Sequence, residues 1–163
     1  MINNINVLIF DWGDTLMRDS GDTGPMVHWE NVEIIPGVRE TLAKLKEDYI
    51  LCVASNAGES DAKLMRAALK RVAIDSFFSY FFTSAELGFE KPDSKFFEAI
   101  LKIGSFCSHG CVMIGNDYEK DIVPSKLLGM NTILFDEKNI SINTESADFK
   151  IDKIFQIIDI LKS

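Results

Sequence analysis

The chain has 163 residues, 47% of them hydrophobic and 26% charged, which suits one soluble domain with a buried core. Its 17 basic residues against 25 acidic ones leave a net charge of -8, which argues against a protein that grips nucleic acid or an anionic membrane through a general basic surface. No apolar run approaches the roughly 20 residues of a membrane span, the first residues read as the lead-in to a strand and not as a signal peptide, and three cysteines do not make a disulfide framework; a cytoplasmic protein with free thiols is expected.

Residues 7–10 (VLIF) are a continuous apolar run, as in a strand covered on both faces. Residues 17–35 follow as a polar, irregular loop with Gly21, Gly24 and Pro25, and with His28 and Trp29 in it. Pro36 and Gly37 open a helix whose Val38, Leu42 and Leu45 share a face. A second apolar run, residues 50–54, ends at Ser55 and Asn56, and a helix over residues 62–72 carries Leu64, Ala68 and Leu69. A weaker strand pattern at residues 80–82 leads to Lys91, after which Pro92 and Asp93 open a helix with Phe96, Phe97, Ile100, Leu101 and Ile103 as its apolar positions. Residues 111–114 form the next strand run, followed by Gly115, Asn116 and Asp117. A helix over residues 121–128 then tolerates Pro124 in its first turn and ends at Gly129. Residues 132–135 are the last strand run. Asp152 is expected to cap a final helix through Ile154, Ile157, Ile158 and Leu161.

Strand and helix alternate about five times, the pattern of an α/β protein with a three-layer, doubly wound, parallel five-stranded sheet. Such folds place their sites beyond the carboxyl ends of the strands. Asp11, Ser55, Asn56, Asn116, Asp117 and Asp121 all fall at or just past strand ends, with Lys91 in an adjoining loop. Any one of them is explained by a turn; their convergence on one edge is not. Crowded acidic oxygens call for a hard cation such as Mg²⁺. A carboxylate beside that cation is a nucleophile toward phosphorus, and a lysine with a small hydroxyl orients phosphoryl oxygens.

Four segments carry a specific resemblance. IFDWGDTL, VASNA, FEKPDSKFF and VMIGNDYEKDI resemble, in order, the motifs of the haloacid dehalogenase (HAD) superfamily, along nearly the whole chain. The resemblance implies a Rossmann-like core and a Mg²⁺-dependent phosphatase acting through an aspartyl-phosphate. Asp11 would be the nucleophile and a metal ligand, and the Gly13 carbonyl a second ligand. Ser55 and Lys91 would bind the phosphoryl group, with Thr15 and Asn56 as further substrate contacts. Asn116, Asp117 or Asp121 would complete the metal site, Asp117 being favoured as a direct or water-mediated ligand, with Asp121 orienting the shell or Lys91.

The pattern breaks at Gly13, where the family usually has an acid/base aspartate, and the carboxylate moves to Asp14. Three readings follow: Asp14 substitutes as acid/base; the protein is a weak or inactive module that binds a phospholigand or a protein; or it hydrolyses carbon–phosphorus or carbon–halogen bonds. For Asp14, a turn residue bonding its own backbone is an equal expectation.

Residues 12–54 and 56–90 leave no room for a cap domain, so the chain resembles the capless type: one core domain over residues 1–163, with residues 17–35 as a flap. An open site suits a phosphorylated substrate that is bulky or macromolecular, or a lid borrowed from another subunit in an oligomer. His28 and Trp29 are the flap residues expected to touch substrate, although Trp29 also reads as a loop anchor. Cys107, His109 and Cys111 bring three candidate zinc ligands together without a fourth nearby.

Overall fold

A computed structural model of the protein describes residues 4–162; the first residues of the lead-in and Ser163 lie outside them. The strands are β1 (Val7–Phe10), β2 (Ile50–Ser55), β3 (Tyr80–Thr83), β4 (Cys111–Gly115), β5 (Asn131–Phe135) and β6 (Phe149–Ile151). They form one sheet in the order β3-β2-β1-β4-β5-β6, every neighbouring pair parallel. The helices are α1 (Val38–Leu45), α2 (Ala62–Arg71), α3 (Ser84–Leu87), α4 (Ser94–Gly104), α5 (Val123–Leu127) and α6 (Gln156–Lys162).

The continuous apolar run of β1 is explained by its central place in the sheet. Leu8 and Phe10 face one core, with Leu42, Leu45, Met65, Leu69 and Ile157. Val7 and Ile9 face the other, with Phe96, Phe97, Ile100 and Met130. Each such side chain, fully buried, contributes about 1.5–3 kcal/mol. The helix starts follow their caps. Asp61 accepts from Leu64 N–H (2.8 Å) at α2 and Asp93 from Lys95 N–H (2.9 Å) at α4. Gly129, at φ +83°, ends α5 as expected.

The sheet has six strands, not the five expected. β6 is three residues long, only Ile151 in it is buried, and it pairs with β5 at the edge; so short a segment carries no readable period. The last helix also differs. It begins at Gln156, whose Oε1 accepts from the N–H groups of Asp152 and Lys153 (3.0 and 2.9 Å), so Gln156 and not Asp152 satisfies that end.

Between Asp11 and α1 the chain forms a flap containing a short 3-10 turn at Met26–His28. Bridges Gly13–Met17 and Met17–Ile34 close its base. Arg71 of α2 donates to the carbonyls of Val27, Trp29 and Glu30 (3.1, 2.5 and 3.1 Å) and ties the flap to the body. Residues 56–90 hold α2, β3 and α3, with no further folded insertion.

Candidate active site

The carboxyl ends of β1, β2 and β4 open into a cleft of about 650 Å³, lined among others by Asp11, Gly13, Ser55, Asn56, Lys91 and Asn116. Asp11 continues the β1 ladder, its N–H donating to Ile114 O (2.9 Å). At the floor, Lys91 Nζ donates to Asp11 Oδ1 (2.8 Å), Asp121 Oδ1 (2.6 Å) and Ala54 O (3.2 Å). Burial works against the ammonium, but the charges of Asp11 and Asp121 and the hydrogen bonds to both hold its pKa above the usual lysine value. Asp121 is fully buried. Burial and the charge of Asp11 push its carboxyl up to about 7, while Lys91 and the Asp117 N–H pull the other way. Glycine at 115 is required by this packing, because a Cβ there would lie 2.3 Å from Asp121 Oδ2.

Lys91 sits in a loop, yet its backbone is fixed. Asn56 Oδ1 accepts from Lys91 N–H (2.7 Å) and Asn56 Nδ2 donates to Lys91 O (3.0 Å). The Ser55 side chain is nearly buried and its Oγ accepts from Ala57 N–H (3.1 Å), which leaves its own proton free for a ligand in the cleft.

The donor set around Asp11 fits a hard cation. One amide atom of Asn116 lies 3.0 Å from Asp11 Oδ2, 3.2 Å from Gly13 O and 3.2 Å from Thr15 Oγ1. Turned with its nitrogen there, the amide donates to all three. Turned with its oxygen there, that oxygen stands 3.0 Å from Asp11 Oδ2 and 3.2 Å from Gly13 O, about the spacing of neighbouring ligands in an octahedral shell with Mg²⁺–O distances near 2.1 Å. Among the described residues no three His, Cys, Asp or Glu side chains group as metal ligands, so a cation here would draw on the Gly13 carbonyl and the Asn116 amide beside Asp11.

The other predicted residues divide. Asp121 lines the cleft, but Lys91 holds one of its oxygens and Asp117 N–H (3.1 Å) the other, which makes it the brace of Lys91 and not a free ligand. Asp117 is half-buried and its Oδ1 accepts from Lys120 N–H (3.0 Å), capping the wide turn at Tyr118–Ile122. Thr15 departs from its expected substrate contact. It is fully buried and absent from the cleft wall, its hydroxyl set between Asn116 (3.2 Å) and Asp11 Oδ2 (3.5 Å). Asp14 lines the cleft and is exposed, at φ +56°, and its Oδ1 accepts from Asp19 N–H (3.0 Å). Trp29 also lines the cleft, with Nε1 donating to Gly24 O (2.9 Å), so it anchors the flap. His28 is exposed and stands outside the cleft wall.

Cys107, His109 and Cys111 do not converge as metal ligands. Cys111 Sγ is buried against Cys107 O (3.3 Å), and His109 Nδ1 faces Gly129 O (2.9 Å). Several cleft residues escaped the sequence reading, among them Asp19 and Asp22 of the flap, Glu59, Ser60 and Lys120. None lies at a strand end, so strand-end position gave no signal for them.

The profile of the family described as haloacid dehalogenase-like hydrolase matches residues 21–135. Ribulose-1,5-bisphosphate 5-phosphatase of Halopiger xanaduensis is 32% identical over 137 residues, covering 83% of this chain and 55% of that protein. Glyceraldehyde 3-phosphate phosphatase of Methanothermobacter thermautotrophicus is 32% identical over 135 residues, covering 79% and 55%. The chain spans about half the length of these curated relatives. Among solved structures, the HAD-hydrolase YfnB of Bacillus subtilis, bound to magnesium, matches with a TM-score of 0.83 at 16% identity, over 99% of this chain and 100% of that one, a likeness of fold.

Proposed function

The chain belongs to the haloacid dehalogenase-like hydrolases, and from that premise we propose that it hydrolyses a phosphate monoester of a small metabolite through an aspartyl-phosphate on Asp11, with Mg²⁺ bound beside it. The observation that carries this reading is the state of the Asp11 carboxylate. One oxygen is pinned by Lys91 (2.8 Å), and the other lies 3.0 Å from the Asn116 amide, which itself lies 3.2 Å from Gly13 O, in the wall of the cleft. A carboxylate so held is oriented for attack.

In this mechanism Asp11 Oδ2 attacks phosphorus as the ester oxygen departs, and water then displaces Asp11 to give inorganic phosphate. Ser55 donates its hydroxyl to a phosphoryl oxygen, and Lys91 fixes the nucleophile and offsets charge behind it. Asp11, the Gly13 carbonyl and Asn116, with Asp117 directly or through a water, would hold Mg²⁺, which when bound would supply positive charge against the phosphoryl oxygens. The relatives named as sugar-phosphate and bisphosphate phosphatases support a small phosphorylated metabolite in place of the bulky substrate expected from an open site. Residues 17–35 serve as the flap over that site.

The test is phosphate release from a panel of sugar phosphates and from p-nitrophenyl phosphate with Mg²⁺, beside Asp11→Asn. Turnover that depends on Mg²⁺ and disappears in Asp11→Asn is expected; turnover that survives the substitution sinks the mechanism. A second reading, a module that binds a phospholigand without turning it over, is favoured by one feature, the missing side chain at Gly13. Saturable binding of sugar phosphates with no release above buffer would select it.

A further inference from the structure

Ester hydrolysis at this site needs a proton donor for the departing oxygen and a base for the attacking water, and Gly13, next to the nucleophile in the cleft, has no side chain to serve. The other cleft carboxylates can be sorted by what already engages them. Asp121 is buried against Lys91. Asp117 caps a turn. Asp14 Oδ1 accepts from Asp19 N–H. Asp22 accepts from the Ser20 hydroxyl, and Glu59 borders Gly24, its Oε2 3.7 Å from where a Cβ there would stand, and not Gly13.

Asp19 differs. A Cβ built on Gly13 would lie 3.5 Å from both Cβ and Oδ2 of Asp19 and 3.9 Å from its Cγ, and it would meet nothing closer. The space that a side chain on residue 13 would enter is therefore bordered by the Asp19 carboxylate, and both residues line the cleft. Asp19 Oδ1 is used to accept from Gly21 N–H (2.9 Å). Oδ2, the oxygen turned toward Gly13, accepts no hydrogen bond among the described residues. Asp19 is held there by the turn that precedes it: Asp14 N–H donates to Met17 O (2.6 Å), and Asp19 N–H to Asp14 Oδ1 (3.0 Å).

We infer that Asp19, reaching in from the flap, is the general acid/base of the reaction, in the place left open by Gly13, and that Asp14 positions it through the Asp19 N–H. The inference rests on the phosphatase reading above. In the first step the Asp11 Oδ2–phosphorus bond forms and the phosphorus–ester oxygen bond breaks. The carboxylic acid of Asp19 gives its proton to that oxygen, which leaves as the alcohol. In the second, water adds to phosphorus, its proton returns to the Asp19 carboxylate, and the bond to Asp11 breaks. The sum is ester plus water to alcohol plus phosphate.

Asp19→Asn keeps an acceptor for Gly21 N–H and removes only the exchangeable proton. A p-nitrophenolate leaves without a proton, whereas the attack of water still needs the base. With p-nitrophenyl phosphate the variant should release a burst of about one equivalent of p-nitrophenolate and then turn over about 100-fold or more slowly. With β-glycerol phosphate it should show no burst and a comparable loss. Asp14→Ala, which removes the acceptor for the Asp19 N–H, should show a smaller loss with no burst. Gly13→Asp/Asp19→Ala should recover at least about tenfold over Asp19→Ala, since a Cβ fits at residue 13. The proposal is overturned if Asp19→Asn keeps wild-type steady-state rates while Asp11→Asn is inactive, or if the burst appears in Asp14→Ala instead. Wild-type protein with no turnover dependent on Asp11 would instead remove the phosphatase reading and this assignment with it.

Discussion

Replacing Lys91 with methionine removes one buried cation and leaves two carboxylates facing each other. Lys91 Nζ contacts Asp11 at 2.8 Å and Asp121 at 2.6 Å, and the side chains of Lys91 and Asp121 are 3% and 1% exposed. Losing one partner of a buried ion pair costs about 3–5 kcal/mol. Its size depends on pH through Asp121. That carboxyl titrates near 7 in the folded protein and near 3.9 when unfolded, so the folded state holds an extra proton between those values. The stability this proton gives is complete below the unfolded value and is lost as pH rises through the folded one, by up to about 1.4 kcal/mol per pH unit. Removing the ammonium raises the folded pKa further and widens the window. Lys91→Met should therefore cost about 3–5 kcal/mol at pH 8 and roughly 1 kcal/mol less at pH 5. Urea unfolding in EDTA, followed by tryptophan fluorescence and far-ultraviolet circular dichroism, measures both, and adding Asp121→Asn should recover most of the loss at pH 8. A Lys91→Met protein as stable as wild type, or equally destabilised at both pH values, would refute the reasoning.

Asn116→Asp places a carboxylate about where the amide now lies, 3.0 Å from Asp11 Oδ2. The variant should lose about 1–2 kcal/mol without metal and gain more than wild type in Tm on adding Mg²⁺; an equal Mg²⁺ shift in both would count against a cation at this position. Arg71→Ala releases three flap carbonyls. It should cost about 1–3 kcal/mol and speed chymotryptic cleavage within residues 17–35, and an unchanged cleavage rate would show that the flap is held elsewhere. Asp136 follows β5. Burial opposes its charge, but the N–H groups of Ser141 and Ile140 and the Lys150 ammonium outweigh that and hold its pKa below the usual carboxylate range. A lowered folded pKa gives stability that is present above about pH 4 and lost as pH falls below it. Wild-type stability should thus fall more steeply than that of Asp136→Asn from pH 5 to pH 2.5, and parallel curves would contradict the assignment.

The sheet and its order of elements were readable because a parallel strand covered on both faces must be apolar throughout, as Val7–Phe10 is. A helix start was readable at Asp93, where an aspartate stands before an apolar period. β6 was not, because one buried isoleucine in three residues has no period. In the site, Asp11 and Ser55 were placed by the strand ends that the sheet brings together, and Lys91 and Asp121 by the loops beside those ends and by the motifs they belong to. Thr15 was misjudged because the turn after Asp11 drives its hydroxyl inward toward Asn116. Asp19 was invisible for the converse reason. It comes beside Gly13 only when the turn at Asp14, in the left-handed region, folds the chain back, and no periodicity encodes that return. Asn56 was expected to face substrate, whereas both ends of its amide are spent on Lys91.

That amide behaves as a detached rung of the sheet. By giving and receiving one hydrogen bond each with Lys91, Asn56 imitates the peptide group of a neighbouring strand, and the lysine is registered to β2 although thirty-odd residues of other structure intervene. The ammonium's position is thus uncoupled from the path taken between the two residues. Segments over α2 and α3 can lengthen, shorten or be exchanged, for example to reshape what the cleft admits, without moving the charge that fixes Asp11.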